Sequence, residues 1–237
     1  MSPSLTAAYI FGSVARGQAD SLSDLDILAV VRTGGGKVEE ALVSALVPAE
    51  LRHLKLSISW YGEDRLREMF ENGELFAWHL AAEARPIFDP KGFLASLGRP
   101  GTYYDAALDV ASFIAVFSGI EDQVHASPFN AIYETGLVYV CARNIAMAAS
   151  SVLCAAPDFS RYSIFELSGV DCCPMSREEF EIAMSARMAA QRGHEPPPEA
   201  SAPFVLDLVR RLGPWFEAVQ SAVMEVSHGR WRTPQQV

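Results

Sequence analysis

The chain has 237 residues, half of them apolar, which suffices for one large domain or two small ones. Its formal net charge is −10, from 29 acidic and 19 basic residues, and this weighs against a nucleic-acid partner, which calls for a basic footprint. The four cysteines (Cys141, Cys154, Cys172, Cys173) lack metal-type spacing, and the N-terminus carries no basic, apolar leader, so they read as reduced thiols of a cytoplasmic protein.

The most informative stretch comes first in the chain. Ala7 to Phe11 is an apolar run that predicts a buried strand. Gly12-Ser13 turns the chain, and Val14 to Gln18 predicts about one helical turn. Ser23-Asp24-Leu25-Asp26 then leads into a second apolar strand, Ile27 to Val31.

Residues i and i+2 of a strand share a face, so Asp24 and Asp26 stand side by side. Two adjacent carboxylates repel unless a cation lies between them. Hard oxygen donors of this kind suit Mg²⁺, which takes one or two carboxylates together with phosphate oxygens and water. Gly12 lets the backbone approach a ligand closely. Ser13 offers a hydroxyl and an N–H at a helix start, where anions bind. A phosphate cradle beside a carboxylate pair is equipment for phosphoryl or nucleotidyl transfer.

Gly12-Ser13-x-x-Arg16-Gly17 followed by Ser23-Asp24-x-Asp26 resembles the signature of the DNA polymerase beta-like nucleotidyltransferase superfamily. The likeness is to its small bacterial members, the minimal and aminoglycoside nucleotidyltransferases. The signature covers roughly residues 7–31, and a weaker likeness of order and spacing runs to about 95. The resemblance implies a Mg²⁺-dependent transfer of a nucleoside monophosphate from an NTP, with ATP the expected donor. Asp24 and Asp26 would be the catalytic metal ligands, and Gly12, Ser13, Arg16 and Ser23 would hold the nucleotide.

Beyond a flexible Thr33-Gly-Gly-Gly36 loop, Lys37 to Leu46 has helical periodicity and Pro48 stops it. His53 to Tyr61 alternates, with Leu54, Leu56, Ile58 and Trp60 on one face and Lys55, Ser57 and Ser59 on the other. Glu63–Phe70 and Glu74–Glu83 predict two short helices, and Pro86–Phe88 a short extended piece. This order fits a small mixed sheet with packed helices. The superfamily pattern places a third carboxylate on the strand after the Asp pair, and the polar face of His53–Tyr61 has none. The acid could come from Glu63, Asp64 or the helical half. The enzyme could work with two carboxylates and a substrate-borne base. Or the domain could bind nucleotide without transferring it.

Residues 91–103 hold three glycines and a proline, so a boundary is placed near 98–102, dividing residues 1–98 from 102–237. The second part reads as a helical bundle, with helices over Tyr104–Ser118, Ser127 to about Cys154, Ser176–Gln191 and Phe204–His228, the last either continuous or broken at Gly213-Pro214. Phe159–Leu167 is a short piece. Gly136–Ala156 is apolar enough for a membrane span, but Arg143 and Asn144 near its middle are costly in lipid, so no membrane association is expected. Arg143 needs an acidic partner such as Asp109, Glu121, Asp122 or Glu134, or else holds a phosphate. Arg187-x6-His194 resembles weakly the Arg-x(4–6)-His motif of HEPN domains, which often accompany minimal nucleotidyltransferases. Here Met188 follows the arginine and His194 falls in a proline-rich loop.

The expected fold class is therefore α+β, a small mixed-sheet nucleotidyltransferase domain followed by an all-α bundle that is HEPN-like. The expected partners are an NTP and an unidentified hydroxyl acceptor on a small molecule or protein, and a homodimer is left open. The alternative is a catalytically impaired nucleotide-binding or toxin–antitoxin-type regulatory protein.

Overall fold

Both early strands are apolar on both faces because helices cover the sheet from both sides. The computed structural model describes residues 5–20, 23–34 and 38–232, with side chains to residue 227. The chain divides into two compact units, Met1–Tyr103 and Tyr104–Val237.

The first unit is a four-stranded mixed sheet in the order β3-β2-β1-β4. Strand β1 (Leu5–Phe11) runs antiparallel to β2 (Leu25–Val31) and to β4 (Arg85–Phe88), and β2 runs parallel to β3 (Leu56–Gly62). Helix α1 (Gly12–Ala15) is a single turn between β1 and β2. On one face Tyr9, Phe11, Leu28 and Val30 pack with Leu66 and Phe70 of α3 (Glu63–Glu71), Leu80 of α4 (Leu75–Glu83) and Phe93 of α5 (Phe93–Leu97). On the other, Ala8, Ile10, Leu25 and Ile27 pack with Val43 of α2 (Glu40–Leu46). Alternation along β3 sends Leu56 and Ile58 to the α2 face. Ser57, Ser59 and Tyr61 therefore face the α3/α4 side, where Tyr61 joins the packing.

The second unit is helical: α6 (Ala106–Ser118), α7 (Ile120–Ala126), α8 (Ala131–Leu153), α9 (Arg177–Arg192) and α10 (Ala202–Arg232). Helix α8 is its centre, and α6, α9 and α10 all pack against it. It is long and apolar enough to cross a membrane by length and composition, and much of it is buried by its neighbours. Gly136 permits the closest approach: a Cβ there would lie 2.8 Å from the Cα of Arg187 on α9. Ser176 caps α9, and Ser176 and Glu179 form a reciprocal capping box. Aromatic pairs lock the layers, with Phe117 edge-on to Phe216 at 4.8 Å and Tyr139 tilted against Phe180 at 5.1 Å.

Several local expectations are corrected. Residues 93–97 form a helix within the glycine-containing stretch 91–103, where none was expected. A separate α7 follows α6, and Pro128–Asn130 is a 3₁₀ turn that precedes α8 rather than its first turn. β3 begins at Leu56, not His53. Lys37 lies outside the described residues, and α2 starts at Glu40. Pro214 does not break α10. Buried Leu212, Trp215 and Phe216 flank it, and their packing outweighs the roughly 3 kcal/mol helix penalty of proline.

Arg143 forms no ion pair among the described residues, and its Nε is enclosed without a hydrogen-bond partner, as is Oε2 of buried Glu134. Nine residues apart on α8, the two point to opposite sides of the helix. Burial pushes the Glu134 carboxyl above the usual range. All four cysteines are free, and burial, with Glu134 adding to it, pushes Cys141 up to about 12. Gly193 ends α9 in the left-handed region, so Arg187 lies in the helix and exposed His194 beyond it.

Candidate functional site

The site is built at the point where β1 ends and β2 begins. Phe11 is the last residue of β1 and pairs with Asp26 on β2. The chain then reverses at Gly12, whose φ of 74° lies in the left-handed region. A Cβ on Gly12 would lie 2.7 Å from Asp26 Oδ2, so the carboxylate of Asp26 rests against the Gly12 α-carbon. The turn is closed by the amides of Arg16 and Gln18, which donate to the carbonyls of Gly12 and Ser13 at 3.1 and 2.9 Å. Ser13 is half-buried on this turn.

Asp24 and Asp26 are both half-buried and flank Leu25, which is buried against α2 and whose amide donates to the Lys55 carbonyl at 2.9 Å. Leu25 thus anchors the start of β2, and alternation along the strand puts Asp26 on the opposite face, while Asp24 immediately precedes the strand. Ser23 is hydrogen-bonded to Asp20: its hydroxyl donates to Asp20 Oδ1 at 2.8 Å and accepts from the Asp20 amide at 3.0 Å. These bonds tie Ser23, just before β2, to Asp20.

Arg16 leads away from the turn to a second cluster. Its Nη1 donates to Glu83 Oε2 at 2.6 Å and its Nε to Gln18 Oε1 at 2.9 Å. His79 Nε2 shares the same Glu83 oxygen at 2.9 Å, one helical turn earlier on α4. Only 17% of the Arg16 side chain and 8% of the Glu83 side chain are exposed. Burial alone would raise the Glu83 carboxyl, but the hydrogen bonds with His79 and Arg16 outweigh it and hold it below the usual carboxylate range. The His79 ring also meets Phe11 edge-on at 5.5 Å. Phe11 thus has Asp26 beside it in the sheet and His79 against its ring. Neither His79 nor Glu83 was singled out as a site residue from sequence; their i, i+4 spacing on a helix was the available signal.

The register settles which β3 residue neighbours Asp26. Asp26 is paired with Ser57 on β3, and Leu28 with Ser59. Ser57 is exposed and on the same face as Asp26. Glu63 and Asp64 lie beyond the opposite end of β3, six and seven residues past Ser57, which is about 20 Å by strand rise. Glu63 accepts a hydrogen bond from Thr6 there. Neither acid joins Asp24 and Asp26. Among the described residues no group of three or more His, Cys, Asp or Glu side chains is arranged to hold a metal.

What this arrangement offers chemically is a hard oxygen donor, Asp26, on a rigid strand with a side-chain-free α-carbon against it, and a second carboxylate, Asp24, two residues earlier in the chain. That donor set fits Mg²⁺. No curated protein matches the chain. Residues 1–72, which run from the start of the chain through α3 and include Gly12, Ser13, Arg16, Ser23, Asp24, Asp26 and Ser57, match the model of the nucleotidyltransferase domain family, whose general chemistry is nucleotidyl transfer.

Proposed function

We propose that the protein transfers a nucleoside monophosphate from an NTP, with ATP the expected donor, to a hydroxyl of a small molecule or protein. The observation that carries this reading is the Gly12 α-carbon lying against the Asp26 carboxylate, within a segment that matches the nucleotidyltransferase domain family. Asp24 and Asp26 would hold Mg²⁺, which neutralises phosphate charge when bound. Gly12 and Ser13 would cradle the terminal phosphates. In the reaction an acceptor oxygen attacks the α-phosphorus, the bond to the bridging oxygen breaks, and pyrophosphate leaves. The hydroxyl proton passes to water or to the substrate, because Ser57 is no base at neutral pH.

Arg16 enters this reading in a changed role. Its guanidinium is engaged by Glu83 and Gln18, so it braces the turn that carries Gly12 and Ser13 and adds a partly neutralised positive charge nearby. A second reading, nucleotide binding without turnover, is favoured by one observation: the residue paired with Asp26 on β3 is a serine and not an acid. The acidic composition and the free thiols support a cytoplasmic protein acting on a non-nucleic-acid acceptor.

Incubation of the pure protein with ATP labelled at the α-phosphate, Mg²⁺ and a panel of hydroxyl acceptors distinguishes the two. Transfer of label that disappears in Asp26→Asn supports the transferase. Mg²⁺-dependent ATP binding without label transfer supports the second reading. No Mg²⁺-dependent binding at all rules out both.

A further inference from the structure

The opposite end of the sheet carries a second concave surface. Two adjoining clefts, of about 360 and 370 Å³, share Arg67 and Ser96. The first is lined by Arg32, Arg67 and Lys91, with Glu63 at its wall. The second is lined by Arg67 and Arg99, with Glu71. Four cations and two acids thus meet here in a protein whose net charge is −10.

These cations are not taken up by ion pairs. Among the described residues none of Arg32, Arg67, Lys91 or Arg99 forms an ion pair, whereas Arg16, Arg65, Arg177, Arg210 and Arg211 all do. Glu63 is within the cleft and accepts from Thr6 instead. Two of the guanidiniums rest on aromatic rings, Arg67 over Phe93 at 5.2 Å and Arg99 over Trp78 at 5.0 Å. Trp78 is itself fixed by donating to the Gly101 carbonyl at 2.9 Å. Cation–π contact orients a guanidinium while leaving its N–H fork for an anion. Like charges gathered on a concave wall repel one another and concentrate positive potential in the cleft.

We propose that this double cleft binds a small ligand carrying a chain of two or three phosphates. Guanidinium forks suit phosphate oxygens. Each cleft falls within the size of small-molecule sites, roughly 300–1,000 Å³. The shared Arg67 places it between the two halves, where it would bridge neighbouring phosphates. A long nucleic acid would meet the protein's overall negative charge outside the cleft. Arg32 follows β2 six residues after Asp26, about 20 Å away by strand rise. The cleft is therefore separate from the Asp24–Asp26 site, and it contains no carboxylate pair that would require a metal.

The test is calorimetric titration of the full chain with inorganic triphosphate in EDTA, which removes metal-dependent binding at the Asp pair. Stoichiometric binding is expected, unchanged by Asp26→Asn. Loss of one charged contact should weaken it roughly tenfold in Arg67→Ala, with a larger loss in Arg67→Glu. Lys91→Glu gives a second, independent reading at another exposed position, and circular dichroism checks that each variant folds. ATP titrated in EDTA separates the sources: tighter binding than triphosphate assigns the ligand to nucleotides, equal binding to polyphosphate alone, and either supports the cleft. No triphosphate binding, or binding indifferent to both Arg67→Glu and Lys91→Glu, overturns the proposal. So does a single-stranded oligonucleotide that binds more tightly than triphosphate through the same residues.

Discussion

Asp26 Oδ2 lies 2.7 Å from where the first atom of any side chain at position 12 would begin, closer than such atoms pack. The glycine is therefore required twice, once for its φ of 74° and once for the carboxylate beside it. Gly12→Ala should lower stability by about 1–2 kcal/mol from the backbone conformation alone. It should also turn the Asp26 carboxylate aside and remove Mg²⁺-dependent ATP binding. Thermal unfolding and calorimetry read the two effects separately. Retention of parental ATP affinity in a folded Gly12→Ala would show that the nucleotide does not use this turn.

The Arg16–Glu83–His79 cluster predicts a pH dependence with a definite sign. Glu83 is held below the ordinary carboxylate range in the folded protein. Its contribution is thus fully present above the unfolded carboxyl value of about 4.3 and fades as the pH falls below that toward the folded value. Glu83→Gln leaves a nearly buried guanidinium with a neutral partner. At neutral pH it should cost about 3 kcal/mol, the low end for breaking a buried pair. Below about pH 4 the difference between parent and variant should shrink. Urea unfolding from pH 3 to pH 7 tests this, and a cost that stays constant across that range would exclude an ionic role for Glu83.

How far these features were legible in the sequence depends on what fixes them. The Asp24–Asp26 spacing, the glycine turn and the alternation of β3 are local, and the structure has the same faces that alternation implied. The exclusion of Glu63 and Asp64 needed the parallel pairing of β2 with β3, and strand direction leaves no local trace in the sequence. The partner of Arg16 lies 67 residues away on α4 and could not be read from the motif around it. Pro214 left the continuity of α10 open for a related reason, since helix propensity is local and the packing of Leu212 and Phe216 that overrides it is not.

Gly136 predicts a packing limit in the helical unit. Alanine is the better helix former by about 1 kcal/mol, so a solvent-facing glycine would gain from the exchange. Here the new methyl would lie 2.8 Å from Arg187 Cα and 2.9 Å from its amide nitrogen, both backbone atoms that cannot rotate away. Gly136→Ala should therefore be destabilising by roughly 1–3 kcal/mol, the usual cost of overpacking. Equilibrium urea denaturation gives the sign directly, and a stabilised variant would mean that α8 and α9 are not in backbone contact at this level.

Ser57 is paired with Asp26 across β2 and β3, exposed, and on the same face as Asp26. A carboxylate placed there would be a third hard donor beside two existing ones. In the absence of metal, Ser57→Asp adds a like charge next to Asp26, and facing like charges on neighbouring strands are destabilising by up to about 1 kcal/mol. The metal-free variant should therefore melt a few degrees below the parent at low ionic strength. Mg²⁺ should reverse the order, because a ligand that binds only the folded state stabilises it by mass action. One added charged contact should tighten Mg²⁺ roughly tenfold. Any label transfer should rise with it, since an acid at this position also provides the base that serine lacks. Melting temperature followed against Mg²⁺ concentration for the parent, Ser57→Asp and Asp26→Asn decides the matter. If Ser57→Asp shows the parent's Mg²⁺ response while Asp26→Asn loses it, the metal lies on the far side of Asp26 and Ser57 has no place in the site.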